Sequence, residues 1–358
     1  MKIGIIHQFL DLLGGAERTT SALIDALKKT NHDITLYTST DTEFEKSKKF
    51  EIKKINSTMP YLWKLKKQIE NKKIYSKVND QDLIIVMDGG FGFRFLPRKK
   101  IILYCHSTFE YEKKFIDQKI PGWRGILYKI VQNDIKNNLK HFNEENIHLI
   151  SNSEFTKNSI KKLFGVDSKI IYPPVNLELF SNKIVKTEKV VSITRYAPEK
   201  NFTFFSKILK CCEVDFSVIG NSKLKQIEFY DDLKKQLENY KNIHLYNNIS
   251  QKSLIEILFS SKVYFHPSIE TFGISVVESI ASGCIPIVPD NSAHKETVPF
   301  EELRYKENDE NDAKMKIEAA LRGDFDKYLP ELKRHIEKFQ TKKFQRNILE
   351  FIEEIMIT

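Results

Sequence analysis

The stretch Val263-Tyr264-Phe265-His266-Pro267-Ser268-Ile269-Glu270-Thr271-Phe272-Gly273-Ile274-Ser275-Val276-Val277-Glu278-Ser279-Ile280-Ala281-Ser282-Gly283-Cys284-Ile285-Pro286-Ile287-Val288 decides the fold. Val263 to His266 is a short, apolar, β-prone run, and Ile285 to Val288 is a second. Between them Pro267 and Ser268 break the chain, a helix opens near Gly273, and Gly283 closes it. Two buried strands joined by one helix run parallel, because the helix carries the chain back along the sheet before the next strand begins. Glu270 then sits in the loop above the first strand, and Glu278 lies more than a turn inside the helix.

The same alternation extends in both directions. Upstream, Val190 to Thr194, Asp215 to Ile219 and Ile243 to Leu245 read as strands with helices between them. The first half repeats the scheme. Lys2 to Gln8 is a strand, Gly14-Gly15 a tight loop, Ala16 to Lys29 a helix and Asp33 to Ser39 a strand. Leu83 to Met87, Ile101 to Tyr104 and Ile147 to Ile150 follow, the last feeding a helix capped by Ser151 or Ser153. Tyr172-Pro173-Pro174-Val175-Asn176 stiffens the chain where no helix can continue, and marks a boundary. At 358 residues the chain has room for two domains of roughly 150 to 200 residues each. No internal repeat is evident, but the halves suit two sheets of one doubly wound type. Phe344, Ile348, Phe351, Ile352 and Ile355 form a helical stripe at the end.

Composition removes several classes. With 41% hydrophobic residues, 25 Phe and only 13 Gly, the chain is neither disordered nor fibrous. No apolar run reaches the ~18 residues of a membrane span. The opening Met1 to Ile6 is interrupted at once by His7, Gln8 and Asp11, unlike a secretion signal. A cytosolic location is the expectation. Cys105, Cys211, Cys212 and Cys284 lack the spacing of a zinc site or a disulfide framework and read as reduced core residues.

Gly14-Gly15, after a strand and before a helix, lets backbone N–H groups approach a phosphate at the positive end of the helix. The pattern is not the dinucleotide fingerprint, and the second strand ends in Tyr37-Thr38-Ser39 without an acid for a ribose, which counts against a dehydrogenase. Glu270, Gly273 and Glu278 offer the complementary chemistry: amides at a helix start for a phosphate, and carboxylates for sugar diols. Together they fit a nucleotide-sugar site. Asp80-Gln81-Asp82 and Asp324-Phe325-Asp326 look like metal-binding pairs, but such triplets recur by chance among 48 acids, and no metal is expected. No nucleophile elbow is present, so acyl transfer is set aside.

The segment from Glu270 to Glu278 resembles the Glu-x7-Glu motif of the family 4 retaining glycosyltransferases. Gly14-Gly15-Ala16-Glu17-Arg18, Ser151-Asn152-Ser153-Glu154-Phe155-Thr156-Lys157, Tyr172-Pro173-Pro174-Val175 and Arg195-Tyr196-Ala197-Pro198-Glu199-Lys200-Asn201 resemble further motifs of that family, in the right order. The resemblance implies an α/β protein of GT-B fold, two Rossmann-like doubly wound parallel-sheet domains facing each other across a cleft. Residues 1–175 would form the acceptor-binding domain, joined by a helix over 340–358 that crosses back to it, and 176–339 the donor-binding domain. By the same resemblance Arg195 and Lys200 bind the donor diphosphate, Gly14 and Gly15 approach it, and Glu278 holds the ribose hydroxyls. Glu270, with the backbone of Phe272, Gly273 and Ile274, faces the transferred sugar, and His106 in Tyr104-Cys105-His106-Ser107 stands beside it. The run from Glu270 to Val298 is also similar to the eukaryotic enzymes that add α-1,2-mannose from GDP-mannose to dolichol-linked oligosaccharides. Where those relatives have Gly-Gly-Pro after the serine, this chain has Ala293-His294. The resemblance to those enzymes implies GDP-mannose rather than UDP-sugars as donor, with no separate cofactor. A guanidinium and an ammonium can stabilise a departing diphosphate without a metal.

The net charge of +9 is unevenly placed. Residues 1 to 180 hold 30 basic and 21 acidic residues, and the remainder is balanced at 27 of each. Within residues 46 to 77, eleven lysines face only Glu51 and Glu70. A solvated lysine face is one reading. The other is a docking surface for an anionic membrane, since Leu62, Leu65 and Ile69 fall at helical spacing beside Tyr61 and Trp63. No nucleic-acid motif accompanies the cluster. A lipid-linked glycan acceptor, and a peripheral position on the inner face of the cell membrane, follow from the second reading. A non-catalytic nucleotide-sugar binding module and a nucleotide-sugar epimerase are the rival functions.

Overall fold

The structure is a computed structural model that describes residues 1–8, 10, 14–40, 44, 47, 49–54, 76–87, 99–110, 129, 132–133, 136–137, 140, 142, 144–180, 185–222 and 225–357. Two compact units divide the chain, Met1–Pro174 with Lys342–Thr358, and Val175–Thr341.

In the first unit, β1 (Lys2–Ile6) leads through α1 (Gly15–Leu27) to β2 (Asp33–Thr38) and β3 (Phe50–Lys54). Then come β4 (Leu83–Val86), β5 (Lys100–Cys105), β6 (Ile147–Ser151), α2 (Glu154–Phe164) and β7 (Lys169–Ile170). In the second unit, β8 (Thr187–Ile193), α3 (Phe202–Cys211), β9 (Asp215–Gly220), α4 (Lys225–Leu237) and β10 (Ile243–Asn247) are followed by α5 (Gln251–Ser260) and β11 (Ser261–Phe265). The unit is completed by α6 (Ile274–Ala281), β12 (Ile285–Pro289), α7 (His294–Thr297), β13 (Arg304–Tyr305), α8 (Glu310–Arg322) and α9 (Leu329–Ile336). The last helix, α10 (Thr341–Ile357), returns the chain to the first unit.

Among the described residues, every pair of these strands is parallel. The sheets are ordered β3-β2-β1-β4-β5-β6-β7 and β10-β9-β8-β11-β12-β13. In each sheet the winding direction reverses beside the first strand, between β1 and β4 and between β8 and β11. Open α/β sheets form their ligand crevice beyond the carboxyl ends of the strands at that reversal. Gly14-Gly15 follows β1, Arg195 and Lys200 follow β8, and the Glu270 loop follows β11, so both switch points carry residues singled out in the sequence.

The apolar runs of the central strands explain the layers. Ile3, Ile5, Leu36, Leu83, Ile85 and Ile102 point to one face of the first sheet, where Leu23 and Leu27 of α1 meet Phe344, Ile348, Ile352 and Ile355 of α10. Ile6, Tyr37, Ile84, Val86, Ile101 and Leu103 point to the other, under Ile160 of α2. A strand buried on both sides has no polar face to alternate with, hence the near-continuous hydrophobic runs. Of the C-terminal stripe, Phe351 alone stays half-buried at the margin.

Ser153, rather than Ser151, caps α2, its hydroxyl accepting from the Thr156 N–H at 3.0 Å. Cys105, Cys212 and Cys284 are buried, Cys211 is half-buried, and all four are free thiols. The lysine-rich stretch contains a strand that its composition did not announce. β3 is an edge strand that buries Phe50 and leaves Lys53 reaching over the Tyr37 ring, 5.5 Å from its centroid. Tyr61, Leu62, Trp63, Leu65, Ile69 and most of the lysines lie outside the described residues.

Candidate active site

The loop between β11 and α6 is fixed at nearly every residue. The His266 N–H donates to the Ile287 carbonyl at 2.9 Å, and its own carbonyl accepts from the Tyr305 hydroxyl at 2.8 Å. Asn201 donates to the Pro267 carbonyl at 3.2 Å, and His294 Nε2 to the Ser268 carbonyl at 2.9 Å. The Glu270 N–H donates to Ser292 Oγ at 3.2 Å, while the Ala293 N–H returns to the Glu270 carbonyl at 3.2 Å. Ala293 and His294, the departure from Gly-Gly-Pro, thus hold the loop from behind, and both are fully buried. Gly273 then turns into α6 with φ of +89°, a conformation that L side chains rarely adopt.

This scaffold aims the Glu270 carboxylate at Lys200, whose Nζ lies 2.5 Å from Oε1. His266 Nε2 approaches the same oxygen at 3.2 Å. Burial opposes ionisation of this carboxyl, but the Lys200 ammonium and His266 outweigh it and hold Glu270 well below the usual carboxylate range. Lys200 and Glu270 come from loops after adjacent strands, although they are 70 positions apart in sequence. Glu278 lies inside α6 and is buried, and its charge, like that of Glu270, helps raise the pKa of the Tyr264 hydroxyl, which burial raises most.

Arg195 behaves differently. Its side chain is 59% exposed and meets Glu199, one turn on, at 3.6 Å. The two cations expected at the diphosphate thus have different acidic partners, Glu199 for Arg195 and Glu270 for Lys200. Lys200 turns inward to Glu270, and Arg195 points outward with a loose ionic partner of the kind worth little.

In the first unit, Gly14 is the N-cap of α1 and Gly15 its first residue. A Cβ at Gly14 would stand 2.5 Å from Glu17 Oε2, so the glycine makes room for a carboxylate folded back over the helix start. His7, at the end of β1, lies 3.9 Å from Glu17 Oε1. Its Nδ1 donates to Thr20 Oγ1 at 2.6 Å, since Thr20 spends its own proton on the Ala16 carbonyl. His106 follows β5 with its ring 4.7 Å from that of Tyr104. Burial, and secondarily the charge of His7, push its pKa down to about 3, so its imidazole is neutral at pH 7.

The two Asp-x-Asp triplets have protein partners. Asp80 accepts from Gln81 at 2.9 Å, Asp82 from the Lys2 N–H at 2.8 Å and Asp324 from Arg322 at 2.9 Å. Sequence reasoning assigned no role to Tyr264, His266 or Ser275, which pack behind Glu270. The one signal available was the spacing of four from His266 to Glu270. An ionised carboxylate beside a helix start, with an ammonium at hand, can accept from sugar hydroxyls while the amides and cation take an anion.

Comparison with known proteins places the two domains. Residues 13–179 match Glycosyltransferase Family 4, and residues 177–342 match Glycosyl transferases group 1. The chain is 27% identical over 174 residues to the GDP-Man:Man(3)GlcNAc(2)-PP-Dol alpha-1,2-mannosyltransferase of Dictyostelium discoideum. That match covers 41% of this chain and 34% of the relative, about a third of the relative's length. Among solved structures, Anabaena HepE in complex with UDP-glucose superposes with a TM-score of 0.76 at 14% identity, covering 99% of this chain and 100% of that one. WaaG, a glycosyltransferase involved in lipopolysaccharide biosynthesis, gives 0.76 at 11% identity, covering 98% and 99%. A glycosyltransferase from Rickettsia africae gives 0.73 at 16%, covering 99% and 98%. With one family matched on each parallel-sheet unit and the fold of these neighbours running the length of the chain, the protein carries glycosyltransferase group 1 and family 4 domains in a GT-B fold.

Proposed function

We propose that the chain transfers a hexose from a nucleoside diphosphate sugar to a glycan acceptor, with retention at the anomeric carbon and without a metal. The observation that carries this reading is the Lys200–Glu270 pair at the start of α6, with Glu278 one turn further on. Lys200 and Arg195 take the donor diphosphate. Glu278 accepts from the ribose hydroxyls. Glu270 and the backbone of Phe272, Gly273 and Ile274 face the sugar. The bond from the anomeric carbon to the leaving phosphate oxygen breaks as the acceptor oxygen attacks the same face, and that phosphate oxygen takes the acceptor proton.

GDP-mannose is the favoured donor, supported by the name of the Dictyostelium relative. The UDP-glucose of HepE belongs to a neighbour at 14% identity, a likeness of fold alone. The acceptor in this reading is lipid-linked. Lysines 46 to 77 hold the enzyme on the inner, anionic face of the cell membrane; no described helix is long and apolar enough to cross one.

A thermal-shift screen with GDP, UDP, GDP-mannose and UDP-glucose tests the donor, since a ligand at 100 times its Kd stabilises by ~2.7 kcal/mol. GDP-mannose should then be hydrolysed slowly without acceptor, releasing α-mannose first, with a rate that survives EDTA. Epimer formation would establish the epimerase instead, and a shift without turnover the binding module. β-Mannose as first product, or activity lost to EDTA and restored by Mn²⁺, would overturn retention or metal independence.

A further inference from the structure

Behind Glu270 runs a buried chain of hydrogen bonds that the reaction scheme leaves without a role. Tyr264 Oη lies 2.8 Å from Ser275 Oγ and 2.9 Å from His266 Nδ1, and His266 Nε2 lies 3.2 Å from Glu270 Oε1. Tyr264 is fully buried and His266 almost so. The direction of each bond follows from what each group can do. Glu270 is ionised and can only accept, so His266 presents Nε2–H to it. With the ring proton on Nε2, Nδ1 is bare and takes the Tyr264 proton at 2.9 Å, a closer acceptor than the Ile193 carbonyl at 3.4 Å, to which the hydroxyl also donates. Tyr264 keeps that proton, because burial first, and then the charges of Glu270 and Glu278, lift its pKa far above the ordinary phenol value. Its oxygen is left to accept from Ser275, the second residue of α6. The chain therefore reads Ser275 to Tyr264 to His266 to Glu270, and it ties the carboxylate to the strand and helix that frame the site.

The other tie on Glu270 is Lys200, the residue assigned to the donor diphosphate. A diphosphate competes with Glu270 for that ammonium, whereas His266, buried behind the loop, is out of its reach. We propose that Tyr264 and His266 are positioning residues that hold the Glu270 carboxylate on its bearing when the donor diphosphate engages Lys200. This rests on the assignment of Glu270 to the transferred sugar. His266 fixes where the carboxylate points, and Tyr264 fixes which nitrogen of His266 carries the proton.

The test is the hydrolysis of GDP-mannose, or of UDP-glucose if the shift screen selects it, by Tyr264→Phe, His266→Leu, His266→Gln and Glu270→Gln. Tyr264→Phe deletes one buried oxygen, and His266→Gln keeps an N–H where Nε2 was. For Tyr264→Phe and His266→Leu, kcat should fall by roughly 10- to 100-fold, the range that about 1 Å of misplacement can cost. Their donor KM and nucleotide-induced thermal shift should stay within about threefold. His266→Gln should recover most of kcat. Full kcat in both variants, a loss confined to KM, or no recovery in His266→Gln would overturn the positioning role while Glu270→Gln still abolishes hydrolysis. Wild-type hydrolysis by Glu270→Gln would instead remove the assignment of Glu270, and the proposal with it. A variant that loses the nucleotide shift has lost its folded site, and Tyr264→Phe, the least disruptive change, then decides.

Discussion

Replacing Ile348 by Ala probes the joint between the last helix and the first unit. Ile348 is fully buried and lies in the core formed by Ile3, Ile5, Leu23, Leu27 and Leu36, with Phe344 and Ile352 one turn to either side. Truncating a buried Ile to Ala removes its transfer energy and leaves a cavity, together costing about 2 to 5 kcal/mol. The middle of that range, ~3 kcal/mol, applies here because neighbours on two strands and a helix surround the side chain and cannot collapse together. The first unit spans roughly 190 residues, a size at which each kcal/mol moves Tm by about 2 to 4 °C, so the shift should be about 6 to 12 °C. The readout can be confined to this unit, because both tryptophans, Trp63 and Trp123, fall within residues 1–174. Tryptophan fluorescence should therefore report the lowered transition, while calorimetry sees the second unit melt where it did before. Glu350→Ala, on the outer side of the same helix, should move neither transition appreciably. An unchanged fluorescence transition for Ile348→Ala would show that α10 does not contribute to the first core. A uniform drop in both transitions would show that it also braces the second.

Lys200→Ala and Glu278→Ala should weaken nucleotide binding in the thermal-shift assay, whereas Glu270→Ala should slow hydrolysis at nearly unchanged affinity; equal turnover in all three would refute the division of roles. Gly273→Ala forces a Cβ to 3.3 Å from Val276 Cγ2 in a left-handed conformation, which should cost about 1 to 2 kcal/mol and weaken donor binding. Unaltered melting and affinity would show that the glycine is replaceable. Burial holds His106 and His294 neutral, their pKa values lowered from 6.5 to about 3. Their contribution to stability is therefore full above pH 6.5 and is lost as the pH falls toward 3, by roughly 1 kcal/mol per histidine per pH unit. Tm should fall between pH 7.5 and 5 and fall less in His294→Asn, and parallel curves would contradict this. The enzyme should sediment with anionic but not neutral vesicles, and should be released by high salt or by changing Lys64, Lys66, Lys67, Lys72 and Lys73 to Gln. Indifference of the wild type to anionic vesicles would end the membrane reading and leave the transferase assignment standing.

Much of the architecture was legible because central parallel strands are buried on both faces and so read as uninterrupted apolar runs. Leu83 to Met87 or Ile285 to Val288 can be little else between Gly, Pro and amphipathic helices. The strands that escaped notice are those for which burial asks least. β3 occupies the edge of its sheet and buries only Phe50 in a run of Glu and Lys, and β7 and β13 are two residues each. The choice between Ser151 and Ser153 as cap was equally beyond a one-dimensional reading, since both types suit an N-cap. The backbone decides it by making Ser151 the last residue of β6.

The site divides along the same physical line. Glu270, Gly273 and Glu278 share one strand-loop-helix unit, so their spacing along the chain is also their spacing in space, and it could be read directly. What each side chain touches depends on which strands are neighbours, and the winding of the sheet sets β8 beside β11 with β9 and β10 on the far side. Lys200 meets Glu270 because of that reversal, and Arg195, five residues earlier on the same connection, leaves for solvent. The partners behind Glu270 are harder still. Tyr264 alternates with residues of an ordinary buried strand, and nothing in its identity separates a core tyrosine from one whose hydroxyl sets a tautomer. The distinction rests on His266 two residues on, placed on the same side of the strand by the pleat, and on α6 starting where Ser275 can close the chain. An aromatic two residues before a strand-end histidine, followed after four by a carboxylate, is thus a pattern whose meaning appears only once the strand is known to end at Phe265. Residues that touch a substrate are constrained in type by its chemistry. Residues that aim them are constrained by geometry, which the sheet alone supplies.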